Sequence, residues 1–276
     1  MTTLSAALGR ATSILEDAEK PEARLEAEVL LMHLLGLSRV QLYSRWTEPL
    51  NAAHESTLEE LVARRQSGEP LAYITGHREF FGLDLAVDRR VLIPRPETEL
   101  LVESALSWLN ARPGVPKLIA DVGTGSGAIA VSLAFHCPDA VVYATDISAE
   151  ALSVAQLGAY DRFSIERGLE AAQREAHFKQ NQSFWIIDPA LKRIVQFRRF
   201  NLLESLAPLG VFDCVFLRNV AIYFSLQTKV DLIRCIRASM TASGVFFLGS
   251  TESLSFLQHD FLVREHGKHV YYEVPG

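Results

Sequence analysis

Along the first quarter of the chain, apolar residues return every three or four positions: Leu25, Val29, Leu30, Met32, Leu34 and Leu35, then Leu58, Leu61 and Val62. That spacing lines one face of a helix. Gly36 and the Glu48-Pro49 turn interrupt it, so about Ala6 to Gln66 predicts a small helical bundle. The period then shortens. EFFGLDLAVDRRVLI holds two alternating runs about a turn near Asp88 and predicts a hairpin, and Glu97 to Trp108 resumes helical spacing after Pro94 and Pro96.

Beyond Lys117 the pattern alternates strand and helix. KLIADVG, AVVYATDIS, VQFRRFNLL, FDCVFLRNV and GVFFLGS read as strands, and Ala128–Phe135, Ala149–Leu157 and Gln227–Ser239 read as helices. FLVREHG and KHVYYEV read as a closing hairpin. A polar stretch with a short strand FWII interrupts the series. The expected partition is a helical domain over 1–75, a hairpin and linker helix over 76–115, and an α/β domain over 116–276 with an inserted subdomain at about 160–197. The fold class expected is α/β: a sheet of seven strands, the last antiparallel, preceded by the helical bundle.

Composition narrows the functional classes. A net charge of -6 argues against a general grip on nucleic acid, since neutralising phosphates needs surplus Lys and Arg; no direct nucleic-acid binding is expected. No stretch approaches the roughly 20 apolar residues of a membrane span. No membrane insertion is expected, and the cytoplasm is the default location. Cys137, Cys214 and Cys235 show no CxxC spacing and read as small buried hydrophobes; no metal is assigned.

The segment Ala120-Asp121-Val122-Gly123-Thr124-Gly125-Ser126-Gly127 follows an apolar strand and opens a helix. Glycines there allow a tight turn and close approach to a ligand, and the helix start offers unpaired N–H groups. Asp146, nineteen positions past Gly127, ends the next strand, where a carboxylate can accept from both ribose hydroxyls. Gly123-x-Gly125-x-x-Ala128 also fits a relaxed dinucleotide fingerprint, and a structural glycine turn without ligand is the bland alternative. Asp121 favours S-adenosyl-L-methionine, because a carboxylate suits the cationic amino group of methionine and would repel a pyrophosphate. Asp121, Gly123, Thr124, Gly125, Gly127, Asp146 and Ile147 are the cofactor-binding candidates on this side.

Residues 1 to about 155 resemble the HemK-like (PrmC) glutamine N5-methyltransferases of peptide-chain release factors, through GEPLAYITGHREFFG, VLIPRPETELLVE, DVGTGSGAIAVSLA and ATDISAEAL. The resemblance implies a bundle that docks a release factor and an Asn-Pro-Pro-Tyr motif near 213–223 that holds the substrate amide. That segment reads FDCVFLRNVAIYF, without proline. From about Gln156 onward the chain resembles the CheR-type chemotaxis receptor glutamate methyltransferases, through AQLGAYDRFSIERGL, FRRFNLL, FDCVFLRNVAIYF and GVFFLGSTESL.

Both resemblances imply a Rossmann-like class I methyltransferase sheet; the simplest account of both is a mosaic, natural or engineered, joined near residues 150–157, and an unusual single lineage is the other. The second resemblance implies that Tyr223 orients the acceptor, that Arg218 supplies positive charge near it, and that Asn201, Leu202 and Asn219 contact the cofactor. It also implies an N-terminal Thr and Arg motif that this chain replaces with the other family's bundle. Read without it, Tyr223 and Phe224 are core aromatics, Arg218 an ion-pair partner, Asn219 a turn residue and Asn201 a cap. Lys192, Arg193, Arg198 and Arg199 read as a solvated basic face.

The function expected first is methylation of a glutamate carboxylate in a chemotaxis receptor-like protein. A glutamate is already an anionic nucleophile at neutral pH, given a reference pKa of about 4.3, whereas an amide nitrogen needs its carbonyl and NH2 clamped. The alternatives are N5-methylation of a glutamine in a release factor-like protein, and a cofactor-binding mosaic with little or no catalysis.

Overall fold

The structure, a computed structural model, describes residues 2–115, 117–157, 159–161, 178–181, 184–187, 193–249, 252–267 and 269–276. Most of the expected insertion, Lys192 included, lies outside the described residues. The chain divides into two compact units, Met1–His77 and Arg78–Gly276.

The first unit holds α1 (Leu4–Asp17), α2 (Ala23–Leu35), α3 (Arg39–Ser44), α4 (Ala52–Gln66) and α5 (Leu71–Thr75). Side-chain caps start three of them: Thr3 accepts from the Ala6 N–H, Ser38 from Gln41 and Asn51 from His54. Leu8, Leu15, Leu30, Leu31, Leu42, Leu58 and Val62 form its core; of the residues that the three-to-four spacing marks, Leu30, Leu58 and Val62 are in it, Met32, Leu34, Leu35 and Leu61 pack against it, and Leu25 is exposed.

The second unit begins with the hairpin β1 (His77–Phe80) and β2 (Leu83–Ala86). Its turn is Phe81-Gly82, both at positive φ (52° and 77°), the conformation that matches strand twist in a two-residue turn. The turn expected near Asp88 is therefore misplaced. Asp88 instead accepts from the backbone N–H of Arg90 at 2.9 Å, closing a local loop after the hairpin.

There follow α6 (Glu99–Asn110), β3 (Leu118–Val122), α7 (Ala128–His136), β4 (Val141–Asp146), α8 (Ala149–Ala155), β5 (Ala159–Asp161), β6 (Phe178–Asn181), β7 (Phe184–Ile187), β8 (Val195–Arg199), β9 (Phe212–Leu217), α9 (Leu226–Ala238), β10 (Met240–Leu248), β11 (Leu262–His266) and β12 (His269–Glu273). Seven strands form one sheet in the order β11-β12-β10-β9-β3-β4-β8. Only β12 runs against its neighbours, as expected of a Rossmann-like methyltransferase sheet. β5, β7 and β6 form a separate three-stranded sheet.

Alternation along the central strands feeds two cores. On one face Ile119, Val142, Cys214, Phe216, Val245 and Phe247 pack with α6 and α7. On the other Val122, Val215, Leu217, Phe246 and Leu248 pack with Leu232, Ile233 and Ile236 of α9. The carboxyl ends of β3, β4, β8 and β9 thus come to one edge, where parallel α/β sheets bind ligands.

Candidate functional site

A cavity of about 460 Å³ opens at that edge, within the range of small-molecule sites. Its glycine wall leaves β3 at Gly123. The N–H groups of Gly123 and Thr124 donate to the Thr145 carbonyl of β4 at 2.8 and 2.9 Å, so the loop is laid across the neighbouring strand. Gly123 has φ +75°, and a Cβ there would lie 2.3 Å from Val220 Cγ2. Only glycine meets both conditions. A Cβ on Gly125 would meet open space, which marks the loop's ligand-facing crest.

Asp146 ties this wall together. Its Oδ2 accepts from the Gly125 N–H and its Oδ1 from the Ser148 N–H, both at 3.0 Å. Each carboxylate oxygen has further acceptor capacity, suiting a vicinal diol. Thr145, just before it, is buried and lines the cavity, and its Oγ1 lacks a hydrogen-bond partner among the described residues.

Asp121 lies beneath the loop, 3% exposed. Its Oδ2 accepts from Thr124 Oγ1 at 2.5 Å and from the Ala130 N–H at 3.3 Å. Burial pushes its carboxyl up to about 6; those two hydrogen bonds pull it down, Asp146 raises it further and Arg218 lowers it.

The opposite wall follows β9. Arg218 donates to Glu97 Oε1 at 3.4 Å, while its Nε is buried and unpaired among the described residues. Burial lowers the pKa of its guanidinium, opposed by Glu97 and Glu252. Asn219 is left-handed at φ 57°, with its N–H donated to Glu252 Oε2 at 2.9 Å. Tyr223 stands on a 3-10 turn, Ala221–Tyr223, 80% exposed, so it is no core aromatic.

Of the residues expected from sequence, Gly123, Gly125, Asp146, Ile147, Asn201, Leu202, Arg218, Asn219 and Tyr223 line one cavity. Asp121, Thr124 and Gly127 do not. The Thr124 hydroxyl turns inward to Asp121, and a Cβ on Gly127 would press on Ala155 at 3.1 Å, so both shape the loop from behind. Several residues serve both readings at once: Asn201 lines the cavity and caps the Leu203 N–H at 3.1 Å, and Arg218 lines it while paired with Glu97. In the basic group, Arg198 stacks over Tyr143 at 4.9 Å and Arg199 Nε donates to the Ile147 carbonyl at 3.0 Å.

Sequence reasoning missed Arg90, Val91 and Leu92, which also line the cavity. Their alternation disguised them as a strand. Pro94 and Pro96, close behind this run, were the signal of a loop. It also missed Phe200 and Val220, which line the cavity beside expected residues.

Comparisons with known proteins fall on both parts of the chain. The family described as CheR methyltransferase, SAM binding domain, matches residues 99–270; the PrmC N-terminal domain matches residues 6–76. The first interval begins well before the junction expected at 150–157. A release factor glutamine methyltransferase of Bordetella pertussis is 56% identical over 133 residues, 48% of this chain and 48% of that protein. One of Burkholderia pseudomallei is 46% identical over 176 residues, 62% of this chain and 58% of that protein. The chain thus matches about half the length of these relatives. A precorrin-6y C5,15-methyltransferase structure from Geobacter metallireducens is 14% identical with a TM-score of 0.43, covering 68% of this chain and 91% of that one. The names of the sequence relatives overturn the glutamate O-methylation expected first, and the chemotaxis receptor as acceptor goes with it.

Proposed function

Because the chain belongs to the CheR methyltransferase family through its S-adenosylmethionine-binding domain, we propose that it is an S-adenosylmethionine-dependent protein methyltransferase whose acceptor is a glutamine side chain of a peptide-chain release factor. The observation that carries this reading is the single cavity whose glycine wall ends on the Asp146 carboxylate and whose opposite wall carries Arg218 and Tyr223. The release-factor acceptor rests on the relatives' names and on the match of residues 6–76 to the PrmC N-terminal domain, and the helical unit is read as its docking domain.

In this reading Asp146 receives the ribose hydroxyls. Ile147, Asn201 and Leu202 flank the nucleoside, Gly123 and Gly125 let the backbone approach it, and Thr124 and Gly127 hold the loop's shape. Asp121, ionised above about pH 6, favours the ammonium of the methionine moiety. Methyl transfer from a sulfonium is an in-line displacement, so the protein must align the acceptor atom behind the methyl carbon and exclude water. The amide carbonyl would accept from Arg218, and the amide NH2 would donate to the Tyr223 phenolic oxygen or the Asn219 carboxamide.

A second reading, cofactor binding with little transfer, draws on the absence of proline in Arg218–Tyr223 and on the open setting of Tyr223. One experiment separates the two: the purified chain is incubated with methyl-labelled cofactor and a release factor, alongside a titration with S-adenosylhomocysteine. Base-stable label on one glutamine supports transfer. Saturable binding without label supports the second reading, and a folded chain that binds nothing sinks both.

A further inference from the structure

Behind the wall that carries Arg218 and Tyr223 lies a second cavity of about 240 Å³. Its floor is the buried Leu232, Ile233, Leu248 and Leu254, and its rim carries Ile222 and Phe256, 47% and 92% exposed. They stand at the mouth of an apolar floor, an arrangement that suits the seating of an apolar side chain. Segment 219–223 is the partition. Asn219, Val220 and Tyr223 face the first cavity, while Ala221 and Ile222 face the second.

A polar observation points to a ligand independently. Glu252 lines the second cavity. Its Oε2 accepts from the N–H groups of Asn219 and Gly249 at 2.9 and 3.1 Å, but its Oε1 is buried with no hydrogen-bond partner among the described residues. A buried acceptor without a donor is unfavourable, and a shift of the Glu252 side chain toward an incoming backbone N–H would relieve it. Lys229 also lines the cavity, so the site combines an apolar floor, one cation and one unmet acceptor.

We propose that this second cavity is an acceptor-side pocket, which seats an apolar side chain of the acceptor protein close in sequence to the methylated glutamine. The inference rests on the methyl-transfer reading for the identity of its occupant. Side chains on one face of an extended segment recur about every 7 Å. Such a segment crossing the 219–223 partition can place its glutamine over Tyr223 while a neighbour on the same face enters between Ile222 and Phe256, with a backbone N–H that Glu252 Oε1 meets by a shift of its side chain. The pocket would thereby hold the register of the glutamine, a task that Arg218 and Tyr223 alone leave open.

The test uses the full chain saturated with S-adenosylhomocysteine and short glutamine peptides carrying one leucine, or serine in its place, at one to three positions on either side of the glutamine. Affinity is read by titration for the unaltered chain, Phe256→Ser and Glu252→Gln, and transfer to the same peptides is followed separately with methyl-labelled cofactor. One leucine position should bind on the order of ten-fold tighter than serine, and Phe256→Ser, at an exposed site, should erase that preference without changing S-adenosylhomocysteine affinity. Equal affinities, no binding of any peptide, or a leucine preference that survives Phe256→Ser overturns the pocket. So does a concentration-dependent dimer that Phe256→Ser abolishes, since the occupant would then be a second copy. Leucine preference without transfer keeps the pocket and counts against the methylation reading; transfer without leucine preference does the reverse.

Discussion

The two walls of the first cavity are built on different terms. On the glycine wall the backbone N–H groups and carboxylates are committed, with Thr145 Oγ1 the buried exception: Gly123 and Thr124 to Thr145, Gly125 and Ser148 to Asp146, Thr124 and Ala130 to Asp121. The wall after β9 holds an unpaired Arg218 Nε and a tyrosine out in solvent. A wall closed on itself presents one fixed shape to a cofactor that is always the same molecule. In the proposed reading the unmet donor on the other side gains its partner when an acceptor arrives, which would put the specificity on that wall.

The largest effect that would break this contrast is expected from Gly123→Ala. The added carbon must adopt φ +75° and displace Val220, at a combined expense of about 2–4 kcal/mol. Thermal unfolding should show that loss and titration should show cofactor binding fall with it; an alanine variant with unchanged affinity would mean that the loop is not under constraint.

Next comes the pH dependence of Asp121. Its native carboxyl holds a proton up to about pH 6, against an ordinary value of 3.8. Between those values the native state binds more protons than the unfolded one, so this group makes stability fall as pH rises through that window. Above about pH 6 it destabilises the free protein by on the order of 2–3 kcal/mol. Asp121→Asn should remove that pH-dependent component in denaturant titrations while weakening the cofactor at pH 8. In the unaltered chain, cofactor affinity should decline as pH drops below about 6, when the buried carboxylate beneath the loop is neutralised and no longer favours a cation above it.

Asp146→Ala should follow, with a loss on the order of 1–3 kcal/mol of binding for the ribose hydrogen bonds, read by titration with S-adenosylhomocysteine. Unchanged affinity would displace the ribose from β4. The smallest effect sharpens the contrast most: Tyr223→Phe, at an exposed site, should alter stability by less than about 0.5 kcal/mol and leave cofactor binding intact while transfer slows. An equal loss of binding and transfer would make the tyrosine part of the donor wall.

The glycine wall was legible in the sequence because its requirements are local. A positive-φ glycine, the start of a helix and an acid at the end of the next strand follow from backbone sterics and spacing along one stretch of chain. The strand and helix alternation was legible for the same reason, and β12 alone runs antiparallel because two apolar runs joined by a tight turn must return on themselves.

The opposite wall could not be read that way. Glu97 meets Arg218 across 121 positions, Val220 sets the need for glycine at 123, and Arg90 to Leu92 become cavity lining once the hairpin turns at Phe81-Gly82 instead of near Asp88. The inward turn of Thr124 was equally hidden, since a hydroxyl on a loop can face ligand or carboxylate and only the packed position of Asp121 decides between them. Residues 118–146 thus determined by themselves where a nucleoside should sit. Where an acceptor can approach was decided by tertiary contact, because that wall is assembled from segments whose side chains acquire neighbours only after the sheet has formed.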